Sequence, residues 1–311
     1  LKSTVSLPWP VAVFTCLLLI FNVVLGSRIF GAKNWISLGP IGFQPSEFVK
    51  IGLIFFFSWF LQKNQEKINR PSVLVTAAVL AAVPLALILK QPDLSTSIVI
   101  VFFILCLIYM AGISYKWIAG ALAVAVPSLA LVVWLAEHNM MPFLEPYQIN
   151  RILAFINPGK YAELNLQQDN SKMAIGSGRL YGKGLFNDTA ISVKNGNFLS
   201  EEHTDFIFSV IGEELGFIGC MIVLLLFLLF VFECLRMASR ARDMAGRLFC
   251  TGMAALVGFQ SFTNIAVATG VFPNTGLPLP FISYGVSSLA SLYIGIGILL
   301  NVGLQQRKLE F

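Results

Sequence analysis

The chain has 311 residues, of which 57% are hydrophobic and 12% charged, and its formal net charge is +5. Soluble globular proteins carry about 25% charged residues, so this composition excludes an ordinary soluble domain and indicates an integral membrane protein. The positive charge does not predict nucleic-acid binding, because no basic cluster with interleaved aromatic residues occurs in the sequence. The five cysteines lie within apolar segments or at their ends and predict no disulfide framework.

Eight apolar segments are long enough to cross about 30 Å of hydrocarbon as helices. In chain order they cover residues 8–26, 45–62, 71–89, 93–112, 117–136, 205–232, 248–270 and 281–304. Uninterrupted apolar runs such as residues 221–232 (MIVLLLFLLFVF) differ from the alternating polarity of a transmembrane β-barrel. The sequence therefore predicts an all-α polytopic membrane protein with about eight transmembrane helices.

Lysine and arginine are unevenly divided between the two sides that alternate crossing creates. With a cytoplasmic N terminus, the cytoplasmic side holds Lys2, Lys63, Lys67, Arg70, Lys116, Arg236, Arg240, Arg242, Arg247, Arg307 and Lys308. The short loops on the other side hold only Arg28, Lys33 and Lys90. The positive-inside rule then predicts that both termini are cytoplasmic and that residues 137–204 form a large extracytoplasmic loop.

That loop contains one segment with helical periodicity. Ile149, Ile152, Leu153 and Ile156 recur at helical spacing between two prolines, which predicts a short amphipathic helix lying on the outer membrane surface. No internal repeat is visible, so residues 1–311 are predicted to form one polytopic domain.

Residues 200–219 (SEEHTDFIFSVIGEELGFIG) lead from an acidic loop directly into an apolar span. An ionised carboxylate deep in a bilayer costs roughly 2.5–3.5 kcal/mol, so acids retained there are candidates for function. Asp205 lies where the loop enters the span, although its position alone favours a helix N-cap. Glu213 and Glu214 lie two turns deeper and are expected to organise an inner cavity or to pair with Lys50.

Six motifs, spread in order over essentially the whole chain, resemble the SEDS family. They are GAKNWISLG (31–39), QPSEFVK (44–50), QPDLSTS (91–97), AIGSGRLYGKG (174–184), FLSEEHTDFIFSVIGEELGFIG (198–219) and PNTGLPLPFISYGVSS (273–288). The chain is most similar to the RodA-type members, with the FtsW and SpoVE types as close relatives. Family members have ten transmembrane helices, so the eight segments correspond to the third through the tenth. Because the chain begins at Leu1, we expect two N-terminal helices to be missing.

The resemblance implies a peptidoglycan glycosyltransferase that polymerises lipid II at the outer face of the bacterial cytoplasmic membrane, in cell elongation and shape. Such an enzyme makes β-1,4 glycan strands with inversion and releases undecaprenyl diphosphate, which requires a base for the incoming hydroxyl and cations for the leaving group. It implies a class B penicillin-binding protein as transpeptidase partner, with other membrane proteins of the elongation complex. Alternatives are a division or sporulation member of the FtsW or SpoVE type, and a lipid II flippase or other transporter.

Asp205 matches the aspartate of the family's HTDFIF motif and is expected to be the catalytic base. The residues expected to bind substrate are Trp35, Glu47, Lys50, Asp93, Arg151, Lys183, Glu201, His203, Thr204, Gln260 and Ser283. The sequence requires no cofactor, although Mg²⁺ or Mn²⁺ would assist departure of a diphosphate. No histidine or cysteine spacing indicates a zinc site.

Structural roles compete with several of these assignments. Glu47 and Lys50 share one helical face, which suits an ion pair as well as the wall of a substrate cavity. Asp93 follows a proline and is expected to cap a helix while bordering the cavity. Gln260 and Asn264 suit either hydrogen bonds to neighbouring helices or the lining of a polar cavity.

The glycine-rich segment 174–184 lacks the spacing of a nucleotide-binding loop. Two interpretations remain for it. Its backbone could cradle the lipid diphosphate, with Lys183 and Arg151 supplying positive charge, or it could be a flexible surface loop.

Overall fold

The computed structural model describes residues 8–29, 32–38, 41–137, 146–185, 192 and 203–305, and these residues are mostly helical. The helices are α1 (Pro8–Leu25), α2 (Pro45–Lys63), α3 (Pro71–Leu89), α4 (Leu94–Met110), α5 (Tyr115–Glu137), α6 (Pro146–Ile156), α7 (Ala162–Ser177), α8 (Ile207–Arg240), α9 (Met244–Ala268) and α10 (Val286–Leu304). A 3₁₀ turn covers Gln65–Lys67.

Each of the eight predicted spans coincides with one of the helices α1–α5 and α8–α10. Four of these helices are long and apolar enough to cross a membrane, namely α3, α8, α9 and α10. The apolar parts of α1 and α4 are shorter. Helix α6 confirms that the isoleucine-rich part of the long loop is helical. Helix α7, in the same loop, was not predicted, because its residues show no apolar periodicity.

A small antiparallel sheet follows α1, where the sequence analysis expected only a loop. Its strands are β1 (Ser27–Ile29), β2 (Ala32–Leu38) and β3 (Ile41–Phe43), in the order β1-β2-β3. The ring of Trp35 on β2 lies over Gly42 on β3, where a methyl group would come within 2.7 Å of the ring. The sheet therefore uses a glycine to hold the partly buried tryptophan against its neighbouring strand.

The chain divides into two compact units. One comprises residues 1–119, 229–259 and 286–311, and the other comprises residues 120–228 and 260–285. In the first unit, α2 packs against α1, α4 and α10. A methyl group on Gly252 would lie 2.6 Å from Ile54 Cγ2, so the absence of a side chain there permits close helix packing, as is common in membrane proteins.

The second unit is built around α7. The Gln168 side-chain amide donates to the carbonyls of Val267 (2.8 Å) and Phe272 (2.7 Å), which joins α7 to the C-terminal end of α9. The Ser171 hydroxyl donates to the Ala268 carbonyl (2.6 Å). Ser171 and Ser209 also share a hydrogen bond between their hydroxyls, so α7 lies against both α9 and the start of α8.

Helix α8 is interrupted at Gly216, whose φ of 66° and ψ of −163° are not helical. Glycine adopts this conformation readily because it has no Cβ, whereas other residues are strained there. The interruption separates a short segment, residues 207–215, from the longer segment 217–240. The sequence analysis treated residues 205–232 as one uninterrupted span, so the break was not predicted.

Candidate active site around Asp205

Asp205 lies in the turn that precedes α8, two residues before the first helical residue, and is partly exposed. Its carboxylate faces Gly276 in the connection between α9 and α10. A methyl group on Gly276 would lie 3.2 Å from Asp205 Oδ2 and 3.7 Å from Arg151 Nη1. A carboxylate and a guanidinium group therefore come together beside one glycine, as expected for a site that removes a proton and binds an anion.

Three consecutive backbone carbonyls fix the path of the chain at this acid. The His203 carbonyl accepts from the Tyr284 N–H at 2.9 Å. The Thr204 carbonyl accepts from the Ser283 hydroxyl at 2.6 Å. The Asp205 carbonyl accepts from the Asn264 side-chain amide at 2.8 Å. Segment 203–205 is thus held by donors from α9 and from the connection to α10, an arrangement we call the carbonyl clamp.

The two amides of α9 also hold the connection that carries Gly276. The Asn264 amide donates to the Leu277 carbonyl at 2.7 Å, in addition to its bond with Asp205. The Gln260 amide donates to the Pro278 carbonyl at 2.9 Å. Hydrogen bonding to neighbouring segments, one of the two interpretations weighed for this pair, is therefore observed. The role of Gln260 in substrate binding stays a prediction.

Ser283 uses its hydroxyl group twice, since it donates to the Thr204 carbonyl and accepts from the Leu279 N–H at 2.7 Å. A hydroxyl has one proton to donate, so in this conformation Ser283 holds the backbone instead of donating to a sugar. Of the other predicted neighbours, Thr204 is partly exposed and His203 is exposed. Glu201 lies outside the described residues.

Two side-chain amide oxygens in the described part of this unit are buried without an observed hydrogen bond. Asn264 Oδ1 and Asn274 Oδ1 are buried without a hydrogen-bond partner among the described residues. Buried amide oxygens are normally paired, and these two precede Gly276, one on α9 and one in the connection that follows it.

Lys183 has an acidic partner that the sequence analysis did not anticipate. Its Nζ lies 2.6 Å from Glu213 Oε1, and Glu213 is buried. Beside this ion pair, the Lys183 N–H donates to the Glu213 carbonyl (2.9 Å) and the Gly184 N–H to the Glu214 carbonyl (3.0 Å). These carbonyls belong to the last turn of segment 207–215, which the interruption at Gly216 deprives of helical donors.

The same loop also completes the start of segment 217–240. The Phe217 N–H donates to the Arg179 carbonyl at 2.8 Å, and the Ile218 N–H donates to the Leu180 carbonyl at 3.2 Å. Residues 178–184 therefore join both sides of the break. The N–H groups of Lys183 and Gly184 are used there and are not available to a diphosphate. Binding of the diphosphate by this loop stays a prediction, and the hydrogen bonds on both sides of the break favour a fixed loop over a flexible one.

Four of the predicted residues lie in the other compact unit. Glu47 and Lys50 form an ion pair of 2.8 Å on α2, with side chains that are 3% and 1% exposed. Asp93 caps α4, because its carboxylate accepts from the Thr96 N–H (3.0 Å) and hydroxyl (2.9 Å). The expected cap is confirmed, whereas contact of these three residues and of Trp35 with substrate stays a prediction.

No group of three His, Cys, Asp or Glu side chains that could hold a metal ion occurs within the described part of the chain. Asp205 instead has Arg151 nearby. Participation of Mg²⁺ or Mn²⁺ stays a prediction.

Sequence comparisons place this geometry among known proteins. The family model described as "Cell cycle protein", which joins FtsW, RodA and SpoVE, matches residues 4–308. The probable peptidoglycan glycosyltransferase FtsW of Trichlorobacter lovleyi is 37% identical over 294 residues, covering 93% of this chain and 74% of that protein. Peptidoglycan glycosyltransferase MrdB of Escherichia coli K12 is 34% identical over 307 residues, covering 97% and 79%.

Solved structures agree with the sequence comparisons. A chain of a peptidoglycan synthase complex, described as coordinating polymerization and crosslinking, matches with a TM-score of 0.77 and 32% identity over 97% of this chain and 82% of that one. The crystal structure of the Thermus thermophilus rod shape determining protein RodA matches with a TM-score of 0.68 and 31% identity over 97% and 79%. The predicted all-α polytopic membrane fold and enzyme class are confirmed. The chain belongs to the SEDS family, the family of the FtsW, RodA and SpoVE proteins.

Proposed function

We propose that this protein is a peptidoglycan glycosyltransferase that polymerises lipid II into β-1,4 glycan strands, with Asp205 as the catalytic base. The observation that carries the proposal is the Asp205 carboxylate, which lies with Arg151 beside Gly276 on a backbone held by the carbonyl clamp. The names of the relatives FtsW and MrdB support the same activity.

The proposed reaction is one displacement at the anomeric carbon of the donor sugar. The Asp205 carboxylate accepts the proton of the acceptor 4-hydroxyl as its oxygen attacks that carbon. The bond from the carbon to the diphosphate oxygen breaks, and undecaprenyl diphosphate leaves with the electron pair. Because the donor linkage is α, a single attack from the opposite face gives the β linkage.

Arg151 is proposed to stabilise the negative charge that develops on the departing diphosphate. An arginine offers a planar fork of donors that suits phosphate oxygens and remains charged at any physiological pH. Arg151 already lies beside Gly276 with the proposed base, so it needs little reorganisation during the reaction.

We further propose that the site faces the outside of the bacterial cytoplasmic membrane and that a class B penicillin-binding protein crosslinks the strands. The resemblance to a chain from a complex of polymerization and crosslinking supports such a partner. Service in cell elongation, with other membrane proteins of that complex, is favoured by the likeness to RodA. Because the sequence is also 37% identical to an FtsW, a role in cell division remains the alternative.

A lipid II flippase is the alternative from another class. The interruption of α8 favours it, because discontinuous helices in transporters expose backbone groups that bind substrate. Here, however, the carbonyls of Glu213 and Glu214 and the N–H groups of Phe217 and Ile218 are hydrogen-bonded to residues 179–184. This pairing favours the enzyme.

The deciding experiment measures glycan strands formed from lipid II by the purified protein with its partner transpeptidase. Asp205→Asn keeps the size of the side chain and removes the base, so we expect polymerisation to fall by at least about 10²-fold. Partner binding and the thermal unfolding midpoint should stay unchanged. Unchanged polymerisation by Asp205→Asn would refute the proposed function, and lipid II translocation without polymerisation by the unmodified protein would establish the flippase.

A further inference from the structure

Glu213 is a buried acid that the proposed reaction does not use. It is eight positions after Asp205, or about 12 Å along a helix, and its side chain is 3% exposed. Lys183, its ion-pair partner, is distant in sequence and 21% exposed. A buried carboxylate without a partner is strongly destabilising, so the ion pair explains how this acid is tolerated.

The position of this ion pair matters because the backbone break at Gly216 separates segment 207–215 from the rest of α8. A helix normally transmits its orientation through continuous hydrogen bonds, but the backbone at Gly216 is not helical. The orientation of the short segment must therefore be set by its other contacts. Asp205 adjoins one end of this segment and Glu213 lies near the other end.

Contacts along α7 fix one side of the short segment. The hydroxyls of Ser171 and Ser209 are hydrogen-bonded. Gly212 lies so close to Ile175 that a methyl group there would come 2.9 Å from Ile175 Cγ1. Beyond these contacts, the end near Gly216 is held by the loop 178–184 and by the pairing of Lys183 with Glu213.

We propose that Lys183 and Glu213 are positioning residues for Asp205. Their ion pair locks loop 178–184 into the break of α8 and fixes the short helical segment that carries the catalytic base at its opposite end. This inference rests on the proposed function of Asp205. It is an alternative to the expectation that Lys183 binds diphosphate, because the Lys183 ammonium group lies 2.6 Å from a buried carboxylate.

The test uses the full chain with its partner and measures kcat and KM for lipid II polymerisation, together with the thermal unfolding midpoint. The variants are Lys183→Met, Glu213→Gln, the double variant Lys183→Met/Glu213→Gln, and Lys183→Arg. The double variant leaves no unpaired buried charge, so it should fold even where a single variant does not. The matched control is Lys172→Met, which removes the exposed ion pair with Asp169 on α7 (2.7 Å).

We expect Lys183→Met and Glu213→Gln each to lower kcat by about tenfold or more, because a displacement of about 1 Å at a catalytic group can cost about 10²-fold. KM should change by less than about twofold, and the effects of the two substitutions on kcat should not be additive. The double variant should recover the unfolding midpoint but not kcat. Lys183→Arg should retain most of the activity, and Lys172→Met should resemble the unmodified protein.

Two outcomes would overturn the proposal. If KM rose in Lys183→Met while kcat and KM of Glu213→Gln stayed unchanged, Lys183 would be identified as a diphosphate ligand. A lowered unfolding midpoint in both single variants with kcat unchanged would show that the ion pair stabilises the fold without positioning the base. Neither outcome involves Asp205, whose own substitution tests the proposed function separately.

Discussion

At the scale of single residues, Gly276 determines how closely the base and the cation approach the α9–α10 connection. Its φ of +68° is a conformation that glycine tolerates and other residues rarely adopt. The space beside it is bounded by Asp205 Oδ2 and Arg151 Nη1. Any side chain at this position would compete with the substrate for that space.

Gly276→Ala should therefore impair both catalysis and stability. The added methyl group would lie 3.2 Å from Asp205 Oδ2, and we expect kcat for polymerisation to fall by about tenfold or more. The strained φ should lower the free energy of unfolding by about 1–3 kcal/mol. The control is Gly159→Ala, because a methyl group there meets nothing within 4 Å. Equal activity of the two variants would contradict the proposed place of Gly276 in the site.

The Glu47–Lys50 ion pair is a second feature at the residue scale. Each buried charge is tolerated only because the other is present. Lys50→Met should leave a buried carboxylate unpaired and lower the free energy of unfolding by about 3–5 kcal/mol. Glu47→Gln/Lys50→Met should recover most of that loss, as measured by thermal unfolding in detergent. A double variant as unstable as Lys50→Met would show that the pair does more than neutralise charge.

At the scale of elements, helix α9 and the connection that follows it act together as the support of segment 203–205. A single side chain, Asn264, bonds both the Asp205 carbonyl and the Leu277 carbonyl. Thus the same amide holds the backbone of Asp205 and the connection that carries Gly276. The sequence analysis weighed hydrogen bonding and cavity lining for Asn264 but did not include it among the expected substrate-binding residues.

Asn264→Asp should disrupt this support without changing the size of the side chain. A carboxylate cannot donate to the two carbonyls, so we expect kcat to fall by about tenfold or more and the free energy of unfolding to fall by about 1–3 kcal/mol. Polymerisation assays and thermal unfolding measure the two effects. Asn301→Asp on α10 is a suitable control, because exposed Asn301 serves as an acceptor for Gln305 and a carboxylate would keep that role. Similar activity of both variants would argue against the carbonyl clamp.

At the scale of the whole molecule, hydropathy predicted the helices because long apolar segments in a bilayer have few alternatives to a helix. The motif around Asp205 likewise predicted a catalytic base at this position, and that role stays a prediction. The sheet was missed because β1 and β3 are three residues each, too short to show periodicity. The Lys183–Glu213 pair was missed because it forms only where a loop enters an interrupted helix, and sequence spacing does not indicate such a contact.

The predicted orientation in the membrane can be tested on intact cells. Tyr181 is 77% exposed and belongs to the loop predicted to be outside, whereas Glu66 belongs to the 3₁₀ turn predicted to be cytoplasmic. We expect a membrane-impermeant thiol reagent to label Tyr181→Cys in intact cells and Glu66→Cys only after permeabilisation. The unsubstituted protein, whose cysteines lie in helices, controls for background. The reverse pattern would invert the proposed topology.

The interruption of α8 also solves a problem of length. Its 34 residues would extend about 51 Å as one straight rod, far more than the roughly 30 Å thickness of the hydrocarbon layer. Ending the straight portion at Gly216 leaves the 24 residues 217–240, or about 36 Å, which a modest tilt accommodates. The nine residues 207–215 are then free to take a direction other than the membrane normal. A polar substrate can therefore approach Asp205 from the aqueous boundary of the membrane.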